Sequence, residues 1–168
     1  MRLTIKSFLV FACMLIPAIF QAQEHNHAHF KNEIGLSGGA MYAFGHKEWG
    51  TGIHAHYFRL LGIHSKWALG TELESVWTDG NHFTVGAGAK YEIIDRMSIA
   101  LIPGISFFKH DAHTRHNDGN YKSRFSLHAE AIYDLFYWKN FHLGTAVDYA
   151  WAKGDVHCAV GVHAAYCF

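Results

Sequence analysis

The segment Trp67-Ala68-Leu69-Gly70-Thr71-Glu72-Leu73-Glu74-Ser75-Val76-Trp77 decides the reading of this chain. Its odd positions, Trp67, Leu69, Thr71, Leu73, Ser75 and Trp77, carry no charge, while its even positions hold Glu72 and Glu74 among small residues. A period of two marks a strand, because successive side chains of an extended chain point to opposite faces. The two tryptophans close the uncharged face at its ends, with smaller side chains between them.

Outward from this segment the same alternation recurs from Glu33 onward, broken by Gly, Asn and Asp at intervals that suit a strand plus a turn. Eight runs result. Their uncharged faces begin with Ile34 to Tyr42, Ile53 to Tyr57 and Trp67 to Trp77, and continue with Phe83 to Ile93 and Met97 to Phe107. Phe125 to Leu135, Phe141 to Trp151 and Cys158 to Phe168 complete the set. The opposite faces hold Glu33, His54, His56, Lys66, Glu72, Glu74, His82, Lys90, Glu92, Arg124, His128, Glu130, Asp134, His142, Asp148, His157 and His163, with Gly and Ala in most gaps. Arg59 interrupts the uncharged face near a rim, where its long side chain can snorkel.

Alternation alone fits two kinds of barrel, since a soluble lipocalin-type barrel also alternates, with its apolar side chains inside. The aromatics separate the two. Tyr42, Trp77, Phe83, Phe107, Phe125 and Trp151 fall at one rim, and Tyr57, Trp67, Tyr91, Tyr133, Phe141 and Tyr166 at the other. Two girdles flanking an apolar band are what a bilayer-spanning barrel requires. The fold expected is therefore all-β: an eight-stranded antiparallel up-and-down transmembrane β-barrel over residues 32–168, closed because lipid offers no partner to an open strand edge. With the N-terminus in the periplasm, Gly62 to Ser65, Ile94 to Arg96 and Phe136 to Asn140 are expected as periplasmic turns. Ala43 to Gly50, Thr78 to Asn81, Lys109 to Tyr121 and Ala152 to Asp155 are expected as outer loops.

The segments before the barrel read differently. Arg2 and Lys6 precede an apolar run from Phe8 to Phe20, and Gln21-Ala22-Gln23 offers a small-residue cleavage point, so residues 1–22 read as a secretory signal peptide and 23–31 as a His-rich tail. Removing Arg2 and Lys6 from the 14 basic residues leaves 12 against 14 acidic ones, a net charge of −2 that gives no field to recruit nucleic acid. Cys158 and Cys167 are too far apart along one strand to pair, at roughly 30 Å for about 3.3 Å per residue. One domain and a monomer are expected.

Val156 to Phe168 alternates apolar residues and ends on Phe168. In this, and in its run of eight alternating segments, the chain resembles the small OmpA/OmpX-type outer-membrane barrels of Gram-negative bacteria over nearly its whole mature length. The resemblance implies location in the cell outer membrane, contact with its lipid bilayer and delivery by the outer-membrane assembly machinery through the terminal Phe168. It does not settle activity, because one fold hosts many functions.

Chemistry is to be sought in the lumen, the tail and the longest loop. An eight-stranded barrel is filled by its own side chains, which disfavours a porin. Seven inward acids, Glu33, Glu72, Glu74, Glu92, Glu130, Asp134 and Asp148, face four permanent cations, Lys66, Lys90, Lys122 and Arg124, which leaves three negative charges over. A buried unpaired charge costs several kcal/mol, so salt bridges, protonated groups or a bound cation must compensate. The expected polar network comprises Glu33, His54, His56, Glu72, Glu74, Lys90, Arg124, His128, Glu130 and His163. Histidine sets the sequence apart, with 15 in all. His25, His27 and His29 in the tail, and His110, His113 and His116 in the longest loop, are candidate ligands for zinc, copper or nickel, since neutral imidazole suits those ions. Cleavage after Ala22 would place His25 third in the mature chain, where a free amine, two amide nitrogens and the imidazole can take Cu(II) or Ni(II) in a square plane. No ligand or cofactor is fixed by these patterns. A structural or surface-interaction barrel without a ligand is the alternative, and a soluble lipocalin-like binding barrel is third. An enzyme is not expected: Ser126, His128 and Glu130 share one strand face but stand roughly 6.6 Å apart, beyond the ~3 Å that a nucleophile and its base need.

Overall fold

The structure is a computed structural model that describes residues 31–62, 64–78, 81–109 and 121–168. The proposed signal and tail histidines His25, His27 and His29, and the loop histidines His110, His113 and His116, lie outside the described residues. Eight strands follow in order: β1 (Asn32–Ala43), β2 (Glu48–Leu60), β3 (Trp67–Trp77), β4 (His82–Ile94), β5 (Met97–Lys109), β6 (Tyr121–Trp138), β7 (Phe141–Ala152) and β8 (Asp155–Cys167). Each pairs antiparallel with its sequence neighbour, and β1 pairs with β8, which closes the barrel. The seam is fastened at one end by Asn32 and Phe168, whose backbone amides and carbonyls bond reciprocally at 2.9 and 2.8 Å.

The faces divide as the alternation requires. In β3, Trp67, Leu69, Thr71, Leu73 and Trp77 are exposed while Ala68, Glu72, Glu74 and Val76 are buried. Apolar side chains cover the outside of every strand, from Ile34 and Leu36 on β1 to Val160 and Val162 on β8. Aromatic side chains meet across strands at the rims: Trp67 with Tyr91 at 4.7 Å and Phe141 with Tyr166 at 4.9 Å at the end holding both termini of the barrel, and Tyr42 with Trp49 at 5.2 Å at the other. Trp49 and Trp138 also belong to this aromatic set, although the alternation did not place them there.

Several expected connections are shorter than the sequence suggested, the turn Ile94 to Arg96 and the loop Lys109 to Tyr121 among them because Ile94, Lys109 and Tyr121 belong to strands. The first outer loop shrinks to residues 44–47, because Glu48 and Trp49 already pair with Ala43 and Tyr42. The expected turn Phe136 to Asn140 becomes strand up to Trp138, and only Lys139 and Asn140 remain in the turn, with Lys139 at a φ of 53°. A register shift between Asp134 and Phe136 explains the difference, since the extra residue reverses which face each later side chain occupies. Tyr137 thereby turns inward and donates to the Asp95 carbonyl at 2.9 Å. Finally, Asp155 belongs to β8 and not to the loop; Lys153 and Gly154 make the turn, and Gly154 supplies its φ of 87°.

The interior is mostly polar. Two small apolar clusters lie towards its ends: Phe58, Ala68, Ala100 and Ile102 near the end of the termini, and Met41, Ala43 and Val76 near the opposite end. Between and around them stand the charged residues.

Candidate functional site

Glu72 and Glu74 occupy successive inward positions of β3, so both carboxylates project from one strand into the lumen, where they are 1 % and 4 % exposed. Their strand neighbours on β2 are His56 and His54, directly opposite in the register. Closure of the sheet then brings the far wall within reach. His128 of β6 places Nδ1 at 2.9 Å from Glu72 Oε1 and Nε2 at 3.4 Å from Glu74 Oε2, so one ring spans both carboxylates. His54 lies between Glu72, at 3.3 Å from Nε2, and Glu130 of β6, at 3.3 Å from Nδ1. His157 of β8 sits between Glu74 at 3.3 Å and Asp155 at 3.2 Å. The result is a ladder that alternates acid and imidazole: Asp155, His157, Glu74, His128, Glu72, His54, Glu130. Ser37 completes it by donating to Glu130 at 3.2 Å.

A second group lies towards the end of the termini. Lys90 donates to both oxygens of Glu33 at 2.5 Å, and His56 approaches the same carboxylate at 3.2 Å. His56 stacks on His163 with ring centroids 5.3 Å apart, and Gly35 makes this possible, because a Cβ there would strike the His56 ring. His163 and His142 flank Asp134 at 3.7 and 3.5 Å. Glu33, Lys90, Asp134 and His142 of this group line a cavity of about 340 Å³, walled also by Lys66, Glu92, Asp95 and Arg96.

Nine of the ten residues expected in the lumen network meet there: Glu33, His54, His56, Glu72, Glu74, Lys90, His128, Glu130 and His163. Arg124 does not. It turns to the rim, donates to the Lys153 carbonyl and lies over the Phe108 ring at 4.9 Å. Lys66 and Lys122 are exposed as well, so neither neutralises the buried acids. Lys66 stands outside any strand, and Lys122 lies close to the mouth, where a long side chain reaches water more cheaply than it enters a crowded interior. The charge imbalance inside is therefore larger than the sequence suggested. Asp155 adds to it, being 7 % exposed and aligned with His157 two positions on. The signal that would have found it is parity, for Asp155, His157 and His163 share one face of one run.

Several of these close approaches are not hydrogen bonds. Both ring nitrogens of His54, both oxygens of Glu72, Oε2 of Glu74, Nδ1 of His128 and Oε2 of Glu130 are buried without one. Among the described residues, four sets of ligand atoms lie within 4.8 Å of one another: Glu33, His56 and His163; His54, His56 and Glu130; Glu74, His82 and His157; and Glu72, Glu74 and His128. Ser126, by contrast, does not meet its strand neighbours as a nucleophile would, since His128 is directed at Glu72 and Glu74, and Glu130 at His54 and Ser37. Cys158 and Cys167 are free thiols.

No family model matches the chain. No curated protein matches it either. Solved structures do. Neisserial surface protein A superposes with a TM-score of 0.61 at 8 % identity, over 82 % of this chain and 97 % of that one. Ail, the attachment invasion locus protein of Yersinia pestis, superposes with a TM-score of 0.55 at 15 % identity over the same shares. The N-terminal β-barrel domain of OprF from Pseudomonas aeruginosa gives 0.53 at 9 % identity, over 83 % of this chain and 99 % of that domain. The chain thus has the fold of the small eight-stranded outer-membrane barrels, a closed antiparallel transmembrane barrel.

Proposed function

We propose that this chain is a sealed barrel of the outer membrane that binds divalent transition-metal ions in its lumen. The observation that carries this reading is the excess of buried acid. Glu72, Glu74, Glu130, Asp148 and Asp155 are buried, none more than 7 % exposed, and Glu33 and Asp134 are half-buried beside them. Lys90 is the ammonium that reaches this network among the described residues, and it is committed to Glu33. Each uncompensated buried charge costs several kcal/mol, so a cation is the natural counterpart. The donors are imidazole nitrogens and carboxylate oxygens, a set that suits zinc, copper and nickel.

The barrel supplies the setting. Its outer surface is apolar between aromatic rims, which fits lipid contact, and its interior is filled, which fits a protein that does not conduct solutes. The end with short turns and both termini of the barrel is assigned to the periplasm, and residues 1–22 to a signal for export. The exposed Phe168 at the end of β8 is assigned to recognition by the assembly machinery.

Calorimetric titration of the detergent-refolded mature chain with Zn(II), Cu(II) and Ni(II) tests the reading, alongside a variant lacking residues 23–30. Binding at micromolar or tighter Kd, about −8 kcal/mol or better, is expected in both. Absence of binding for all three ions would overturn it in favour of a structural barrel. That second reading has its own support, because every imidazole of the ladder lies within 3.5 Å of a carboxylate and can balance part of the charge as imidazolium.

A further inference from the structure

The four ligand sets in the lumen are not equivalent. Glu33 is already held through both oxygens by Lys90, so an ion at Glu33, His56 and His163 would have to expel an ammonium. His157 is hydrogen-bonded on both ring nitrogens, to Asp155 and to Glu74, which spends the donor that a centre with His82 would need. The pair His54 and His56 faces one carboxylate, Glu130, which also accepts from Ser37. Glu72, Glu74 and His128 instead bring two carboxylates to one imidazole. Both Glu72 oxygens, Glu74 Oε2 and His128 Nδ1 are buried without a hydrogen bond, yet these three side chains bring ligand atoms within 4.8 Å of one another.

Charge points to the same place. Glu72, Glu74, Glu130, Asp148 and Asp155 are five buried acids, and the imidazoles held among them are His54, His82, His128 and His157. Even with all four rings protonated, the acids remain in excess. A void of about 30 Å³ borders Ser37, His54, Glu74, Glu130 and Asp148, and so touches the set at Glu74. A water needs roughly 10–15 Å³ of such room.

We infer that the lumen holds one divalent-cation centre whose ligands are Glu72, Glu74 and His128, with His54 beside it. This rests on the metal-binding reading above and assigns it to a place: the middle of the lumen between β3 and β6, and not the tail, the long loop or the Lys90 end. Two carboxylates and one imidazole make a mixed oxygen and nitrogen set without thiolate or thioether. Such a set takes zinc, cobalt, nickel, manganese or ferrous iron and disfavours Cu(I). The neighbouring His54 lies 3.3 Å from Glu130 through Nδ1 and 3.3 Å from Glu72 through Nε2, beside the ligands.

The test titrates Zn(II) and Co(II) into the refolded mature chain and into four variants: Glu72→Gln, His128→Asn, His163→Asn and the deletion of residues 23–30. Folding of each is checked by heat-dependent gel mobility. One ion per chain is expected, with affinity at least 100-fold weaker in Glu72→Gln and His128→Asn, and within about threefold of the parent in the other two. Loss of binding on deleting residues 23–30, with Glu72→Gln unaffected, would overturn this site while leaving metal binding intact. No binding to the parent chain would overturn both readings. If the two lumen variants fail to fold, X-ray absorption on the Zn-loaded parent decides: a shell of oxygens with one or two imidazoles is expected, and three or more imidazoles would refute the assignment.

Discussion

Replacing Leu73 by arginine tests the lipid-facing surface quantitatively. Leu73 points outward between Glu72 and Glu74 and is 51 % exposed. Ten residue steps separate Trp67 from Trp77, roughly 33 Å of strand at about 3.3 Å per residue. At a tilt of about 40° this projects to about 25 Å, the height of the apolar band in such barrels. Leu73 lies four steps from Trp77, so it sits about 10 Å inside that girdle, close to the middle of the layer. Arginine at that depth costs about 2–4 kcal/mol, a factor of about 30 to 900 in the folding equilibrium. Urea unfolding of the chain in lipid vesicles, read by tryptophan fluorescence, measures the loss. Trp138→Arg is the control, because Trp138 is 72 % exposed at the tip of the β6–β7 hairpin, where the cost falls to about 0–1 kcal/mol. Equal stability of Leu73→Arg and the parent would refute the lipid-facing assignment, as would a Leu73→Arg chain that folds and stays soluble without detergent.

Two further perturbations probe the interior. Lys90→Met leaves the Glu33 carboxylate without its ammonium and is expected to lower the unfolding free energy by about 3 kcal/mol, the low end for a buried pair, because each partner keeps some solvent contact. Adding Glu33→Gln should recover most of that loss, and simple additivity in a double-mutant cycle would show that the pair is not coupled. Gly70→Ala drives a Cβ into the Tyr57 carbonyl oxygen and the Phe58 ring, with an expected cost of about 1–3 kcal/mol. A folded fraction unchanged on heat-dependent gels would contradict the pairing of Phe58 with Gly70.

The two faces of each strand were legible because a period of two survives any error in strand ends: shifting a boundary by two residues leaves Leu73 outside and Glu72 inside. The ends themselves were not. The extra residue between Asp134 and Phe136 is a pairing event, invisible in a chain read by itself, and it alone turns Tyr137 inward. Charge at the mouth was misjudged for a related reason. Parity assigned Arg124 and Lys66 to the interior, but parity does not say how far along the axis a residue stands, and near a rim a long cation reaches water.

Which imidazole meets which carboxylate is a further step removed. Glu74 and His157 are 83 residues apart, and Ser37 and Glu130 are 93 apart. Such partners are brought together by the stagger of strands around the closed sheet, which fixes where opposite walls face each other. The sequence pattern determines only that these side chains all point inward. Closure turns that shared direction into a site: β3 and β6 are not neighbours in the sheet, yet His128 reaches across the lumen to both acids of β3. A barrel with the same alternation and a different stagger would bury the same charges against different partners. The convergence of Glu72, Glu74 and His128 is therefore a property of this closed register, which is why it is the part of the lumen where substitution is expected to remove metal binding while leaving the outer surface intact.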